Sequence, residues 1–505
     1  MGYAQVHSVA LLGVTGQPVV VEADVTPGLP CLVVSGLPDA ALSQARDRVR
    51  AAVLNSGEHW PQQRLTVNLL PAHLPKHGTG LDVAIAIGLL VAAGSVPAEP
   101  LEDTVILGEL GLDGTIRPIR GVLPAVLAAA RGSVRQVIVP AANAAEARLV
   151  PGLTVHAADC LARLVRFARG KGPLLPARAA AVAPLQAVPD LADVVGQERG
   201  HRALTLAAAG RHHLSIIGPP GAGKTMLAQR LPGILPALDD PAALEVTAIH
   251  SIAGVLPTQA PLVRRPPFQA PHHSTSQAAL VGGGSGWARP GAVSLAHCGV
   301  LFLDEAPEVR PGVLDSLRQP LEDGFVRLRR TQGETTFPAR VQLVLAANPC
   351  PCARVDGDRG CTCSPLARRR YLGRLSGPLM DRIDLQVALG PITSRALLDE
   401  LTRPASSAVV VERVRTARLA AQARWGPHGQ TNAQVPEAVL QSDPFRLPAA
   451  VLRPIGQAVD RGQLSARGFS RVVRIAWSIA DYDGRSRPDA GDVAEALDLR
   501  TGRVP

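Results

Sequence analysis

The sequence predicts an α/β protein with a parallel sheet at its centre and helices at its C-terminal end. Three observations predict it. Short apolar runs that suit buried strands alternate with helix-forming stretches as far as Pro391. A glycine-rich turn, Gly218-Pro219-Pro220-Gly221-Ala222-Gly223-Lys224-Thr225, stands between the run Leu214-Ser215-Ile216-Ile217 and the helix-forming stretch that begins at Met226. From Pro391 onward the chain reads as helices, several of them rich in Arg.

Residues 1–170 form a first α/β unit. Val19 to Val25 is a strand with Val21, Ala23 and Val25 on one face and Glu22 and Asp24 on the other. Leu32 to Gly36 is a short apolar run, and Ala40 to Asn55 has helical periodicity. Leu65 to Leu70 is a strand, Asp82 to Ala93 a buried helix, Val105 to Leu110 an apolar run, Val122 to Ala130 a helix and Gln136 to Pro140 a strand. Lys76 and His77 read as exposed loop residues. Residues 171–189, with Pro173, Pro176, Pro184 and Pro189, read as a linker.

A second unit, residues 190–392, carries the chemistry. Gly218 to Thr225 fits G-x-x-x-x-G-K-[ST], the loop that cradles nucleotide phosphates. Its glycines let backbone N–H groups turn toward phosphate oxygens, and the following helix start adds partial positive charge. Lys224 is expected at the β/γ-phosphates and the Thr225 hydroxyl at Mg²⁺. Of the 52 basic residues only Lys76, Lys171 and Lys224 are lysines, so a lysine here is no incidental surface charge. Gly299 to Glu305 is an apolar strand ending in two carboxylates. Asp304 is expected to position Mg²⁺ and Glu305 to act as general base on water. A third run, Val341 to Ala347, ends at Asn348.

Between these motifs lie the pair His272-His273 and the run Gly282-Gly283-Gly284. Nothing at helical spacing completes a metal site on the histidines. Cys350, Cys352, Cys361 and Cys363 make C-x-C-x8-C-x-C in a loop, residues 350–363. Four thiolates there suit a tetrahedral Zn²⁺; free thiols and a redox-labile pair are the alternatives. Cys31, Cys160 and Cys298 read as core residues. Arg368-Arg369-Arg370-Tyr371 either touches nucleic-acid phosphates or is solvated. In residues 393–505, helices are expected at Ser407 to Trp425, Pro448 to Arg461, Ser465 to Asp481 and Ala490 to Arg500.

The net charge of +10 fits a polyanionic partner or an Arg-rich solvated surface. With 3% aromatic residues, extended base-stacking platforms are excluded. No basic-then-apolar leader and no membrane-length apolar run is present, so a soluble cytoplasmic protein is expected.

Two resemblances sharpen this reading. The order of the first unit resembles the proteolytic domain of Lon protease, on Gly108-Glu109-Leu110, Ile116 to Gly121, Val137 to Pro140 and Leu74-Pro75-Lys76-His77-Gly78. Gly80 falls where the nucleophilic Ser belongs and Leu123 where its Lys belongs, so a Lon-like fold without peptidase activity is expected. The chain as a whole resembles the YifB/ComM family of magnesium-chelatase-like AAA+ ATPases, on Ala270-Pro271-His272-His273, Asn348-Pro349-Cys350-Pro351-Cys352 and Ser376-Gly377-Pro378-Leu379. That resemblance implies an AAA+ sheet, a C-terminal helical lid and a hexameric ring driven by ATP and Mg²⁺, with DNA as partner. It makes Asn348 a sensor of the γ-phosphate or lytic water. It makes Arg382 an arginine supplied to a neighbouring subunit, unless Arg382 pairs with Asp381 or Asp384. It makes Arg467 a contact to the γ-phosphate of its own chain, with Arg471 second. A chelatase-like or protein-remodelling motor without DNA is the alternative.

Overall fold

The strand Gly2–Leu12 turns back at Gly13 and pairs antiparallel with Thr15–Thr26 along its whole length. In a computed structural model describing residues 2–36, 39–74, 76, 79–177, 188–257, 262–284, 288–330, 333–354, 361–392 and 404–502, this hairpin is the centre of an eight-stranded mixed sheet. On one side lie Thr104–Ile106, Gln136–Pro140, Thr154–Ala158 and Leu175–Pro176; on the other lie Arg64–Leu70 and Cys31–Ser35. The almost wholly apolar helix Asp82–Ala92 is buried on nearly every face and packs against Gly2–Leu12 and Thr15–Thr26. Its Asp82 is buried and paired with Arg48 at 2.9 Å.

Three expectations change here. Gly2–Leu12, which the sequence reading leaves unassigned, is the central strand. Lys76 is not exposed: it is buried, and its ammonium donates to the carbonyls of Pro71 and, at 3.1 Å, Leu74. His77 lies outside the described residues. The expected linker begins inside the sheet, because Leu175–Pro176 pairs antiparallel with Thr154–Ala158; its residues 178–187 lie outside the described part, as does the expected boundary at 393.

The second sheet has five parallel strands in the order Phe268–Gln269, Val300–Leu303, Gln342–Ala347, Leu214–Ile217 and Leu385–Ala388. In chain order these are the second, third, fourth, first and fifth. Val300–Leu303 and Gln342–Ala347 are buried at every residue, which is why they read as unbroken apolar runs. The order reverses beside Leu214–Ile217, and such a reversal opens a crevice at the carboxyl ends of the strands.

Helices Ser407–Trp425, Ala449–Asp460, Ala466–Tyr482 and Ala490–Thr501 form the C-terminal region and share a core with Glu198–Gly210. Trp425 and Trp477 meet edge to face at 5.4 Å there. The first unit docks on the second through Val122–Ala129 against Asp240–Ala253, with Leu244 and Ala248 at the contact. Buried Glu146 joins the two, accepting the Leu123 N–H at 2.8 Å and the Ser251 hydroxyl. Among the described residues no helix is long and apolar enough to cross a membrane.

Candidate functional site

The glycine-rich turn leaves the carboxyl end of Leu214–Ile217 and enters the helix Lys224–Ile234. Gly221 and Gly223 take φ values of 77° and 84°, a conformation that a Cβ would strain. A Cβ on Gly218 would lie 3.0 Å from the Leu389 carbonyl, so the loop is packed tightly against the end of the fifth strand.

Five side chains converge on this loop. The Lys224 ammonium donates to the carbonyls of Gly218 at 2.8 Å and Pro219 at 2.9 Å, and to Asn348 Oδ1 at 3.0 Å. Burial pulls it below the usual lysine range, against the pull of the Asp304 and Glu305 carboxylates. The Thr225 hydroxyl donates to Asp304 Oδ2 at 2.7 Å, and the Glu305 N–H to Asp304 Oδ1 at 2.9 Å. Thr225 and Asp304 thus present hard oxygens side by side, a donor set that fits Mg²⁺. Glu305 sits in the left-handed region at φ 49°, rare for a residue with a Cβ and common at functional sites.

A further partner is absent from the sequence reading. His273 Nδ1 lies 3.2 Å from Glu305 Oε2. Its ring lies tilted with its centroid 4.0 Å from that of His272, whose Nδ1 lies 2.8 Å from the Ser274 hydroxyl. The adjacent histidines form no metal cluster among the described residues; one of them holds the carboxylate expected to be the base. Their adjacency in sequence is visible, but their neighbour, Glu305, is set only by strand pairing of Phe268–Gln269 with Val300–Leu303.

The predicted arginines lie elsewhere. A cleft of about 520 Å³ is lined by Arg382, Arg467 and Arg471 together with His213, Arg340 and Asp384. His213, Val341 and Asp384 immediately precede three of the parallel strands, so the cleft is at their amino ends. The phosphate loop is at the carboxyl end, about 13 Å away along a four-residue strand. Arg467 lines this cleft rather than the phosphate loop of its own chain. Arg382 does not pair with Asp381 or Asp384; it holds the Pro378 carbonyl at 2.8 Å and the Glu322 carboxylate. Arg471 takes Asp384, whose carboxyl stays well below the usual range: burial opposes this, and His212, Arg471 and His213 outweigh it.

Cys350, Cys352 and Cys361 bring their sulfurs within 3.1–3.5 Å of one another, and Cys363 joins the same cluster. The Cys363 amide pulls the Cys361 thiol down to about 6, while burial pushes Cys350 up to about 12. Four sulfurs on a tetrahedral Zn²⁺ stand about 3.8 Å apart, so the cluster fits that ion with little movement. Tyr371 is buried and unsuited to stacking on a base. None of the three cysteines expected in the core is fully buried: Cys31 is exposed, Cys160 is half-buried, and Cys298 is half-buried among charged groups.

One basic element escapes the sequence reading. Phe325–Arg330 and Gly333–Pro338 form a hairpin with Val326 buried and Arg327, Arg329 and Arg330 exposed. It packs on the small hairpin of Gly282–Gly283 and Arg289–Pro290, where Arg289 is also exposed. The period-two alternation Val326-Arg327-Leu328-Arg329 is the signal that would have found it.

Residues 190–397 match the family described as magnesium chelatase, subunit ChlI, and residues 404–500 match its C-terminal family. Residues 21–143 match a family described as subunit ChlI of Mg-chelatase. The chain is 53% identical over 501 residues to an uncharacterized protein of Mycobacterium tuberculosis, covering 99% of each. It is 41% identical over 507 residues to the uncharacterized protein YifB of Escherichia coli, covering 99% of this chain and 97% of that one. It is 40% identical over 511 residues to the competence protein ComM of Haemophilus influenzae, covering 99% and 98%. A stretch of 153 residues, 28% of the chain, is 35% identical to 19% of a Lon protease of Roseiflexus castenholzii. With a phosphate loop, paired acids and a polar strand end converging on one parallel sheet, and with full-length relatives on both sides, the chain belongs to the magnesium-chelatase-type AAA+ family that includes YifB and ComM.

Proposed function

We propose that this protein is an ATP-hydrolysing motor that works in the cytoplasm as a homo-hexameric ring and drives branch migration of DNA recombination intermediates in natural transformation. The convergence of Lys224, Thr225, Asp304, Glu305 and Asn348 on one loop carries the hydrolytic part. Lys224 turns from the loop carbonyls to the β/γ-phosphates, and backbone N–H groups of Gly221 to Thr225 cradle them. Thr225 and Asp304 would hold Mg²⁺, which would supply positive charge against the phosphates. Glu305 takes the proton of the attacking water, and Asn348 orients that water. Arg382 and Arg467 line one cleft away from their own loop, a placement that supports a role for both at the nucleotide of a neighbouring subunit.

The DNA part rests on the exposed hairpin arginines Arg289, Arg327, Arg329 and Arg330, and on the competence protein among the full-length relatives. The test is ATP turnover with and without single-stranded and branched DNA, together with a junction-unwinding assay. Stimulation and unwinding are expected; turnover indifferent to every DNA supplied would contradict the DNA part. The chelatase-like reading is favoured by the family matches themselves, and a co-purifying partner enzyme that alters turnover without DNA would select it.

We further propose structural Zn²⁺ on Cys350, Cys352, Cys361 and Cys363. Metal analysis is expected to find one zinc per chain, lost in Cys350→Ser; a zinc-free, equally stable wild type would contradict it.

A further inference from the structure

The cleft that holds Arg382 and Arg467 is backed by a cluster that the hydrolytic site does not use. Cys298 precedes the strand Val300–Leu303 and sits at φ 56°, a left-handed conformation that side-chain-bearing residues rarely adopt. Its sulfur lies 3.9 Å from Arg340 Nη2. Arg340 pairs with Glu245 at 2.5 Å, and Glu245 also meets His297 Nε2 at 3.1 Å. The Arg340 N–H donates to His297 Nδ1 at 3.0 Å. The Arg340 carbonyl accepts both the Cys298 N–H and Arg211 Nη2, each at 2.8 Å. His250 faces His297 from the helix Asp240–Ala253.

Glu245, His297 and Cys298 place their ligand atoms within 4.8 Å of one another, a spacing that would also suit a metal. The two guanidinium groups decide against it. Arg340 already occupies the Glu245 carboxylate, and a dication would stand beside two fixed positive charges. The same surroundings favour an anion on sulfur.

We propose that Cys298 is a reactive thiolate and a site of oxidation by hydroperoxides. The thiolate sulfur attacks one peroxide oxygen. An S–O bond forms, the O–O bond breaks, and the departing hydroxide or alkoxide takes a proton from solvent to become water or an alcohol. Sulfur is oxidised to sulfenic acid and the peroxide is reduced. Burial pushes the Cys298 thiol up, but its contact with His297 and the charges of Arg211 and Arg340 outweigh that, and the thiol ends below the usual range. Arg211 and Arg340 both line the arginine cleft, so a charged or bulky adduct on this sulfur displaces groups at that face.

The test uses the full-length protein, hydrogen peroxide and a sulfenic-acid trap, read peptide by peptide in a mass spectrometer, with iodoacetamide alkylation followed against pH. The exposed Cys31 is the internal reference. Cys298 is expected to be trapped several-fold faster than Cys31 at neutral pH despite its burial. Its alkylation midpoint is expected below that of a free cysteine, about 8.5. Arg340→Gln should slow both reactions; where that variant does not fold, the wild-type profile decides. Trapping no faster than Cys31, or a midpoint at or above the free-cysteine value, would overturn the proposal. Neither readout depends on ATP turnover.

Discussion

Two buried lysines, one in each α/β unit, differ in what surrounds them. Lys76 in the first unit and Lys224 in the second both give hydrogen bonds to carbonyls of their own loops. Lys224 also reaches Asn348, and two carboxylates pull on its charge. Around Lys76, burial alone governs the ammonium, pulling it below the usual range. Nearby, Gly80 has no nucleophile to offer, and Leu123 is wholly buried with its N–H committed to Glu146. A buried lysine is thus no signature of chemistry. Convergence of complementary groups from separate strands is.

The strongest way to break this contrast is at the arginine cleft. If the second unit completes its site with a neighbour's residue, Arg382→Ala lowers ATP turnover about 10³-fold or more. Mixing it with Lys224→Ala then restores part of the activity, because each chain supplies what the other lacks. Steady-state ATP hydrolysis of the two variants, alone and mixed, reads this. No recovery on mixing would leave Arg382 a structural residue tied to Glu322.

Next come the lysines themselves. Lys224→Ala is expected to cost about 10²–10³-fold in turnover per folded molecule. Lys76→Met should spare that turnover. It leaves the Pro71 and Leu74 carbonyls without a donor, costing about 1–3 kcal/mol, and keeps turnover per folded molecule. Chemical denaturation and ATPase assays on the same preparations compare them directly. Lys76→Met with intact stability and lost turnover would collapse the contrast.

The smallest effect tests the sheet end opposite the phosphate loop. Burial pulls the His213 imidazole down to about 4, and its Nδ1 accepts the Leu343 N–H at 3.0 Å. An unfolded chain takes up that proton near pH 6.5. His213 therefore contributes stability that is full above that pH and is lost as pH falls toward 4, about 3 kcal/mol in all. Urea titrations from pH 7 to 4.5 should show this slope, and His213→Asn should flatten it.

Legibility from sequence followed the same line. Gly218 to Thr225 and Asp304-Glu305 were readable because each is a contiguous motif whose flanking strand is buried on both faces. The helices from Ser407 to Thr501 were readable because their apolar spacing is long and regular. The central position of Gly2–Leu12 was not, since nothing in a strand's own residues states its neighbours. Nor was the side of the sheet that Arg467 faces: that depends on how Ala466–Tyr482 packs against Glu198–Gly210. The Glu305–His273 pair and the Cys298 cluster were hidden for the same reason, being contacts between elements far apart in sequence.

The most direct test of the central claim is the separation of ATP binding from ATP hydrolysis in Glu305→Gln. The variant keeps the Lys224, Thr225 and Asp304 contacts and loses the base. It is expected to bind Mg·ATP as the wild type does while turning over about 10²–10⁴-fold more slowly. Undiminished turnover in Glu305→Gln, with binding intact, would contradict the account.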